Sequence, residues 1–353
     1  MSASRQAGAW LLDYKAALAD QITEAHFRQR PELEQRYGPK GRVRCREDNE
    51  HHLGYLAQAV SAEQPALFEN YIVWARVLLD NLHVPASDLA HNLELLHTTI
   101  EQAAPEEHRQ ACLAPLADVI ARFDSLPTTV QTYLQPDQPH SALARRYLDL
   151  LLSAKRRDAS QLVLDAVADG VPVRDIYLHV FQPAQYEVGR LWQMNEVSVA
   201  QEHFCTAATQ MIMSQLYGHL FGTERNGFQL VTACVSGDLH EIGARILTDL
   251  FEMAGWDTFY IGANTPTASI VQTVREEGAD LVALSATMVA HVPLIEEAIR
   301  AIRAEFPDLP IMVGGYPFLQ APELVQGVGA DATAVDADQA TRVGMALVTG
   351  TAS

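Results

Sequence analysis

The stretch Asp238-Leu239-His240-Glu241-Ile242-Gly243 decides how this chain is read. It follows an apolar run at residues 228–235 and opens an amphipathic segment. The histidine therefore falls on a loop between a buried strand and a helix, where doubly wound α/β sheets bind ligands. A carboxylate two residues earlier can accept the second imidazole N–H, fixing the tautomer and raising basicity, as the partners of metal-bound histidines do. Gly243 removes a side chain where a large ligand would need the backbone close. By itself D-x-H-x-x-G is short, and it also fits an ordinary strand–helix turn with a capping aspartate.

Composition narrows the class. The chain has 353 residues, 48% hydrophobic and 20% charged, which is ordinary for a folded protein with room for two or three domains. No apolar run is long enough to span a bilayer, and no charged-then-apolar leader opens the chain, so neither membrane insertion nor export is expected. Cys45, Cys112, Cys205 and Cys234 are scattered without a C-x-x-C pair, which points to the cytoplasm and away from a structural zinc. A formal net charge of −19 disfavours broad contact with nucleic acid or anionic lipid. The basic stretch at residues 40–46 is read as a solvated turn.

Working outward from the central loop, residues 1–127 read as a helical N-terminal domain. Helices are expected at 10–26, at 48–62, from Pro65, at 89–100 with Ser87 as N-cap, and at 106–123 with a kink at Pro115. Residues 128–140, rich in Pro, Thr, Gln and Asp, read as a linker. Residues 141–225 read as a four-helix bundle, with helices at 143–155, 160–168, 173–193 and 199–221. Ser198 and Gln201 form a capping box at the start of the last. Residues 228–353 alternate strand and helix as a parallel sheet does. Five strands are expected, near 229–235, 258–261, 281–285, 311–313 and 333–335, in a flavodoxin- or Rossmann-like domain. The fold class is thus α plus α/β.

Three features fall at the C-terminal ends of these strands. They are the Asp238/His240/Gly243 loop, Ser285-Ala286-Thr287 after the third strand, and Gly314-Gly315 after the fourth. Ser285 is expected to extend the hydrogen bonds that run from His240 through Asp238. The paired glycines would let a nucleotide tail slide between strand and helix. This combination, over residues 228–348, resembles the cobalamin-binding domain shared by methionine synthase, adenosylcobalamin-dependent mutases and cobalamin-dependent regulators. The resemblance implies that His240 is the lower axial ligand of cobalt, in place of the cofactor's own dimethylbenzimidazole. Thr287 departs from it, since many members carry leucine there.

In the bundle, Trp192 is followed after nine residues by Glu202 and His203. A turn at Asn195 would bring all three toward one another, and tryptophan can cover an adenine while a carboxylate holds ribose hydroxyls. W-x9-E-H resembles the cobalamin-dependent photoreceptors of the light-regulated carotenoid-repressor type. That likeness implies that Trp192 and Glu202 shelter the adenosyl group of adenosylcobalamin, and that His203 takes the upper cobalt position once light has broken the cobalt–carbon bond. The same residues also fit a core tryptophan beside an exposed pair on a helix.

Two parts of that family's pattern differ. No winged helix-turn-helix precedes the bundle, so direct DNA binding is not expected. In its place the N-terminal domain carries Asp48, His51, His52, Tyr55, Tyr71, Trp74 and Arg76, which would line one polar-aromatic pocket. This layout resembles the photocobilins, which pair cobalamin with a bilin, and implies biliverdin near the corrin. Whether a bilin is bound stays open, as does a thioether at Cys45. The expected protein is a photoreceptor, a homo-oligomer that signals to an unidentified protein, with no catalytic residue because the cofactor carries the chemistry. A corrinoid methyl carrier serving a methyltransferase, and a light-dependent antirepressor, remain open alternatives. A mutase subunit is disfavoured because no βα barrel accompanies the sheet.

Overall fold

A computed structural model describes residues 2–351, which fall into two compact units that divide between Val130 and Gln131.

The first unit is helical: α1 (Ala3–Gln29), α2 (Glu32–Ser61), α3 (Pro65–Asn81), α4 (Ala86–Ala103) and α5 (Glu106–Arg122). Leu11, Leu18 and Ile22 of α1 are buried, as are Leu53 and Leu56 of α2, Phe68 and Ile72 of α3, Leu93 and Leu96 of α4, and Leu116 of α5. Their i, i+3, i+4, i+7 spacing gives each helix one apolar stripe facing a common core. Two local expectations are corrected. Residues 40–46 are not a turn; they lie inside α2, which bends at Gly38 (φ +62°) ahead of Pro39 and continues. The cause is charge pairing with α1: Arg42 donates to Glu24 (2.6 Å) and Arg46 to Asp20 (2.5 Å), while Arg42 also reaches Glu34 across the bend within α2 (3.1 Å). Ser87 is not an N-cap, because α4 already starts at Ala86, directly after Pro85.

The second unit begins at Gln131 with an extended segment up to residue 140, which is fastened rather than loose. Leu134 is buried in the bundle core, and the Tyr133 amide donates to Glu187 Oε2 at 2.8 Å. The bundle comprises α6 (Ser141–Leu152), α7 (Arg156–Ala168), α8 (Val173–Ile176), α9 (Gln182–Gln193) and α10 (Val199–Gln215). A single wide π-helical turn, Tyr177–Phe181, joins α8 to α9, so they form the one long helix expected at 173–193. Both halves of the Ser198/Gln201 capping box are made.

The sheet consists of β1 (Gln229–Val235), β2 (Asp257–Thr265), β3 (Leu281–Ser285) and β4 (Ile311–Gly314), all parallel in the order β2-β1-β3-β4. Helices α11 (Ile242–Met253), α12 (Thr267–Glu277), α13 (Val292–Glu305), α14 (Tyr316–Gln320), α15 (Leu324–Val328) and α16 (Ala337–Thr349) connect and complete the domain. Strands β1, β3 and β4 are near-continuous apolar runs because both faces are covered, while β2 is a partly exposed edge strand. The fifth expected strand, near 333–335, is reduced to one bridge. Ala332 pairs with Met312, and the Val313 amide donates to the Ala332 carbonyl at 2.9 Å before the chain turns away into the Asp336 cap of α16. Among the described residues the sheet therefore has four strands.

Bundle and sheet share one core. Ile246 and Leu250 of α11 pack with Tyr177, Phe181, Ile212 and Met213 of the bundle. The Tyr177 hydroxyl donates to Asp249 at 2.8 Å, and Arg245 donates to Ser214 at 2.9 Å. No described helix is long and apolar enough to cross a membrane.

Candidate functional site

The β1–α11 loop is built around Asp238, whose side chain is wholly buried. Its Oδ1 accepts the His240 backbone N–H at 3.0 Å and His240 Nδ1 at 2.9 Å, while Oδ2 accepts the Thr287 amide from the loop after β3. The neighbouring strand end braces the loop from the other side. Asn264 Oδ1 accepts the Gly237 amide at 2.7 Å, and the Asn264 amide donates to the Asp238 carbonyl at 2.9 Å. Burial works to raise the Asp238 carboxyl, but the hydrogen bonds from His240 and Thr287 outweigh it and hold the group below the usual carboxylate range. The same bond from Asp238 raises the His240 imidazole above its ordinary value, against partial burial, and the charge of Glu202 adds to the rise.

The His240 side chain is 60% exposed. With Nδ1 engaged, Nε2 is left as the free, electron-rich nitrogen, the arrangement a metal-binding imidazole needs. Burial pushes the nearby Cys234 thiol up to about 12, so it offers no thiolate to compete.

The strand-end residues play distinct parts. Ser285 does not extend the hydrogen bonds from Asp238; it faces Cys234, its register partner on β1, and the Thr287 backbone holds Asp238 instead. A side chain on residue 287 is thus not required for that bond. Gly315 (φ +105°) is needed by the protein itself, since a Cβ there would lie 2.0 Å from the Ala286 carbonyl oxygen. At Gly243 and Gly314 a Cβ would meet no protein atom within 4 Å, so no packing demand of the chain explains either glycine. Both positions leave open space beyond the carboxyl ends of β1 and β4, and the His240–Asp238 pair suits a ligand with a metal at its centre.

The bundle supplies the opposite side. Asn195 (φ +57°) reverses the chain, placing half-buried Trp192 in the last turn of α9 and Glu202 and His203 in the first turns of α10. Glu202 accepts from Thr206 Oγ1 at 3.1 Å and lies 3.4 Å from His203 Nε2, whose side chain is 74% exposed. Its charge adds to the rise of His240, and α10 meets the head of α11 directly through Gln210. Gln210 Nε2 donates to Glu241 Oε1 at 2.6 Å and fixes that approach. Gln210, Glu241 and the Tyr260 hydroxyl carried no motif in the sequence.

In the first unit the expected polar-aromatic set separates. His52 is buried, and its Nδ1 lies 2.8 Å from the Tyr71 hydroxyl; burial lowers its pKa to about 3. Tyr71 stacks on Tyr55 with ring centroids 3.8 Å apart, and Trp74 follows at 6.2 Å. Asp48 is half-buried and its charge acts on Tyr71. His51 is exposed instead, and Arg76 is spent on the Phe123 and Leu126 carbonyls at the end of α5. Burial pushes the Cys45 thiol up to about 11, a poor starting point for a thioether.

Comparison with known proteins agrees with this geometry. Residues 229–343 match a model of the B12 binding domain, and residues 143–217 match a second model of that description. Dimethylamine corrinoid protein 3 of Methanosarcina acetivorans is 26% identical over 201 residues, which is 56% of this chain and 93% of that protein. Dimethylamine corrinoid protein 1 of the same organism is 32% identical over 113 residues, 31% of this chain and 52% of that protein. Among solved structures, the monomethylamine corrinoid protein of Methanosarcina barkeri superposes with a TM-score of 0.53 at 23% identity, covering 59% of this chain and 99% of that one, a likeness of fold. The second unit of this chain is thus a cobalamin-binding module of bundle and sheet.

Proposed function

We propose that the chain is a cobalamin-dependent light sensor. The observation that carries this reading is Glu202 with His203 on α10, an exposed imidazole beside a carboxylate, on the helix that the Gln210–Glu241 bond ties to the loop of His240. Adenosylcobalamin supplies a light-labile cobalt–carbon bond when bound. In this chain His240 would hold the metal from the sheet side, with its tautomer fixed by Asp238. Gly243, Gly314 and Gly315 would admit the cofactor, with Ser285 and Thr287 along the same strand ends. Trp192 and Glu202 would shelter the adenosyl group, and His203 would stand ready as a second imidazole. The shared core of the bundle and α11 gives such a change a route to a homo-oligomer interface or a protein partner. Biliverdin, the second cofactor of this reading, would be held by the first unit, where His52, Tyr71 and Tyr55 form an aromatic cluster. The scattered cysteines favour the cytoplasm as its setting.

The curated relatives favour a second reading, a corrinoid methyl carrier for a methyltransferase, because they are methylamine corrinoid proteins. An antirepressor shares the sensor's chemistry and differs only in output.

One experiment separates these readings. The protein is loaded in the dark with adenosylcobalamin and biliverdin, freed of excess, and its absorption recorded before and after illumination. A sensor gives a light-driven corrin spectrum that His203→Ala cannot reproduce, and a red band reports the bilin. A carrier gives only the water-ligated spectrum of simple photolysis, the same with or without His203, and exchanges methyl groups from methylcobalamin. Failure to retain any corrinoid rejects both.

A further inference from the structure

We infer that His291 is a second imidazole on Asp238, a positioning residue that shares the carboxylate with His240 and sets how firmly His240 is held. The inference rests on His240 being the axial residue of the proposed site.

A carboxylate has about four lone-pair directions. Asp238 fills three of them, with the His240 amide, His240 Nδ1 and the Thr287 amide. Because Asp238 is wholly buried, the fourth is not open to bulk water. It faces His291 Nδ1, which lies 3.6 Å from Oδ2 and is itself buried without a hydrogen-bond partner. That distance is just beyond a bond, and the inferred movement is an inward turn of the ring that closes it.

The ring is held nearby on purpose of shape. A Cβ on Gly237 would come within 3.2 Å of His291 Nε2, so the loop leaves room for the ring directly beside Asp238. The backbone is anchored as well, with the His291 amide donating to the Met288 carbonyl at 2.9 Å at the start of α13.

An unprotonated Nδ1 would set its lone pair against those of the carboxylate, so this nitrogen carries the proton. Two imidazole donors then draw on one anion. When His291 turns in, Asp238 has less charge to give His240, and the His240 contact loosens.

The test uses ring-nitrogen NMR on the cobalamin-free full chain, with His291→Ala and the donor-retaining His291→Gln. The expected results are a proton on Nδ1 of His291, a downfield move of the His240 Nδ1–H signal in His291→Ala, and its return toward the original position in His291→Gln. A proton on Nε2 of His291, or a His240 signal unmoved in the alanine variant, overturns the inference. If His291→Ala does not fold, the ring-proton position in the unaltered chain decides. Retention of adenosylcobalamin is measured in parallel. If the unaltered chain fails to bind it, the proposed site falls while the sharing of Asp238 is still judged by the NMR result.

Discussion

Gln210 on α10 and Glu241 at the head of α11 are joined by a 2.6 Å hydrogen bond, and the Tyr260 hydroxyl donates to the other Glu241 oxygen at 3.2 Å. This strap lies one residue from His240 and ties the bundle to the sheet at the point where the candidate site opens. Gln210→Ala is expected to cost about 1 kcal/mol, the net worth of an ordinary hydrogen bond, without unfolding the shared apolar core. Urea denaturation measures the loss. A larger loss, with the bundle melting separately, would mean that the apolar contacts of Ile246 and Leu250 hold less than the geometry implies.

The glycines divide into two kinds. Gly315→Ala drives a methyl into the Ala286 carbonyl at a φ of +105°, so a loss of at least about 2 kcal/mol is expected. Gly243→Ala meets open space in a helix, so its stability should stay level or rise by about 0.5–1 kcal/mol. Its cobalamin affinity is expected to fall about tenfold or more, a change of about 1.4 kcal/mol. Thermal melts and equilibrium dialysis together test the contrast, and an undiminished affinity in Gly243→Ala would remove that residue from the site.

His203 is largely exposed, so His203→Ala should leave the fold within about 0.5 kcal/mol, whereas His240→Ala takes a ring donor from buried Asp238 and is expected to cost about 1–3 kcal/mol. The spectra of the loaded variants should differ. His240→Ala is expected to lack the signature of a protein imidazole on the lower side already in the dark. His203→Ala is expected to look normal in the dark and to form no stable bis-histidine product in light. An illuminated spectrum identical to that of the unaltered chain would remove His203 from the mechanism.

Acid sensitivity is expected in the first unit. Burial lowers His26 to about 4 and His52 to about 3, whereas an unfolded histidine takes its proton near 6.5. As pH falls below that value the unfolded state binds the extra protons. Stability then drops by about 1.4 kcal/mol per pH unit for each residue until its folded value is reached. Urea unfolding of α1–α5, followed by amide hydrogen exchange at pH 7 and pH 5, should show this slope, and His52→Gln should remove about half of it.

Much of the architecture was legible in local chemistry. The Ser198/Gln201 capping box, Pro65 at a helix start and the apolar runs of β1, β3 and β4 each depend on residues within a turn or a strand. So does the pairing of His240 with Asp238, two residues apart, which is why one hexapeptide sufficed to find the loop. Residues 40–46 escaped that reading because Gly38-Pro39 is a breaker by local rules. Only the carboxylates of α1, some twenty residues earlier, make the helix worthwhile.

Sequence alone therefore settled the order of helices and strands, the central histidine loop and the glycine-marked strand ends, because those signals act over a few bonds. Tertiary structure decided that Thr287 rather than Ser285 holds Asp238, that Gly315 serves the Ala286 backbone, and that His291 completes the carboxylate's surroundings. It also ended the sheet at four strands. These outcomes depend on the direction of individual lone pairs and on sub-ångström packing between segments about 50 residues apart. No spacing along the chain encodes such distances; they exist only once the strands have paired.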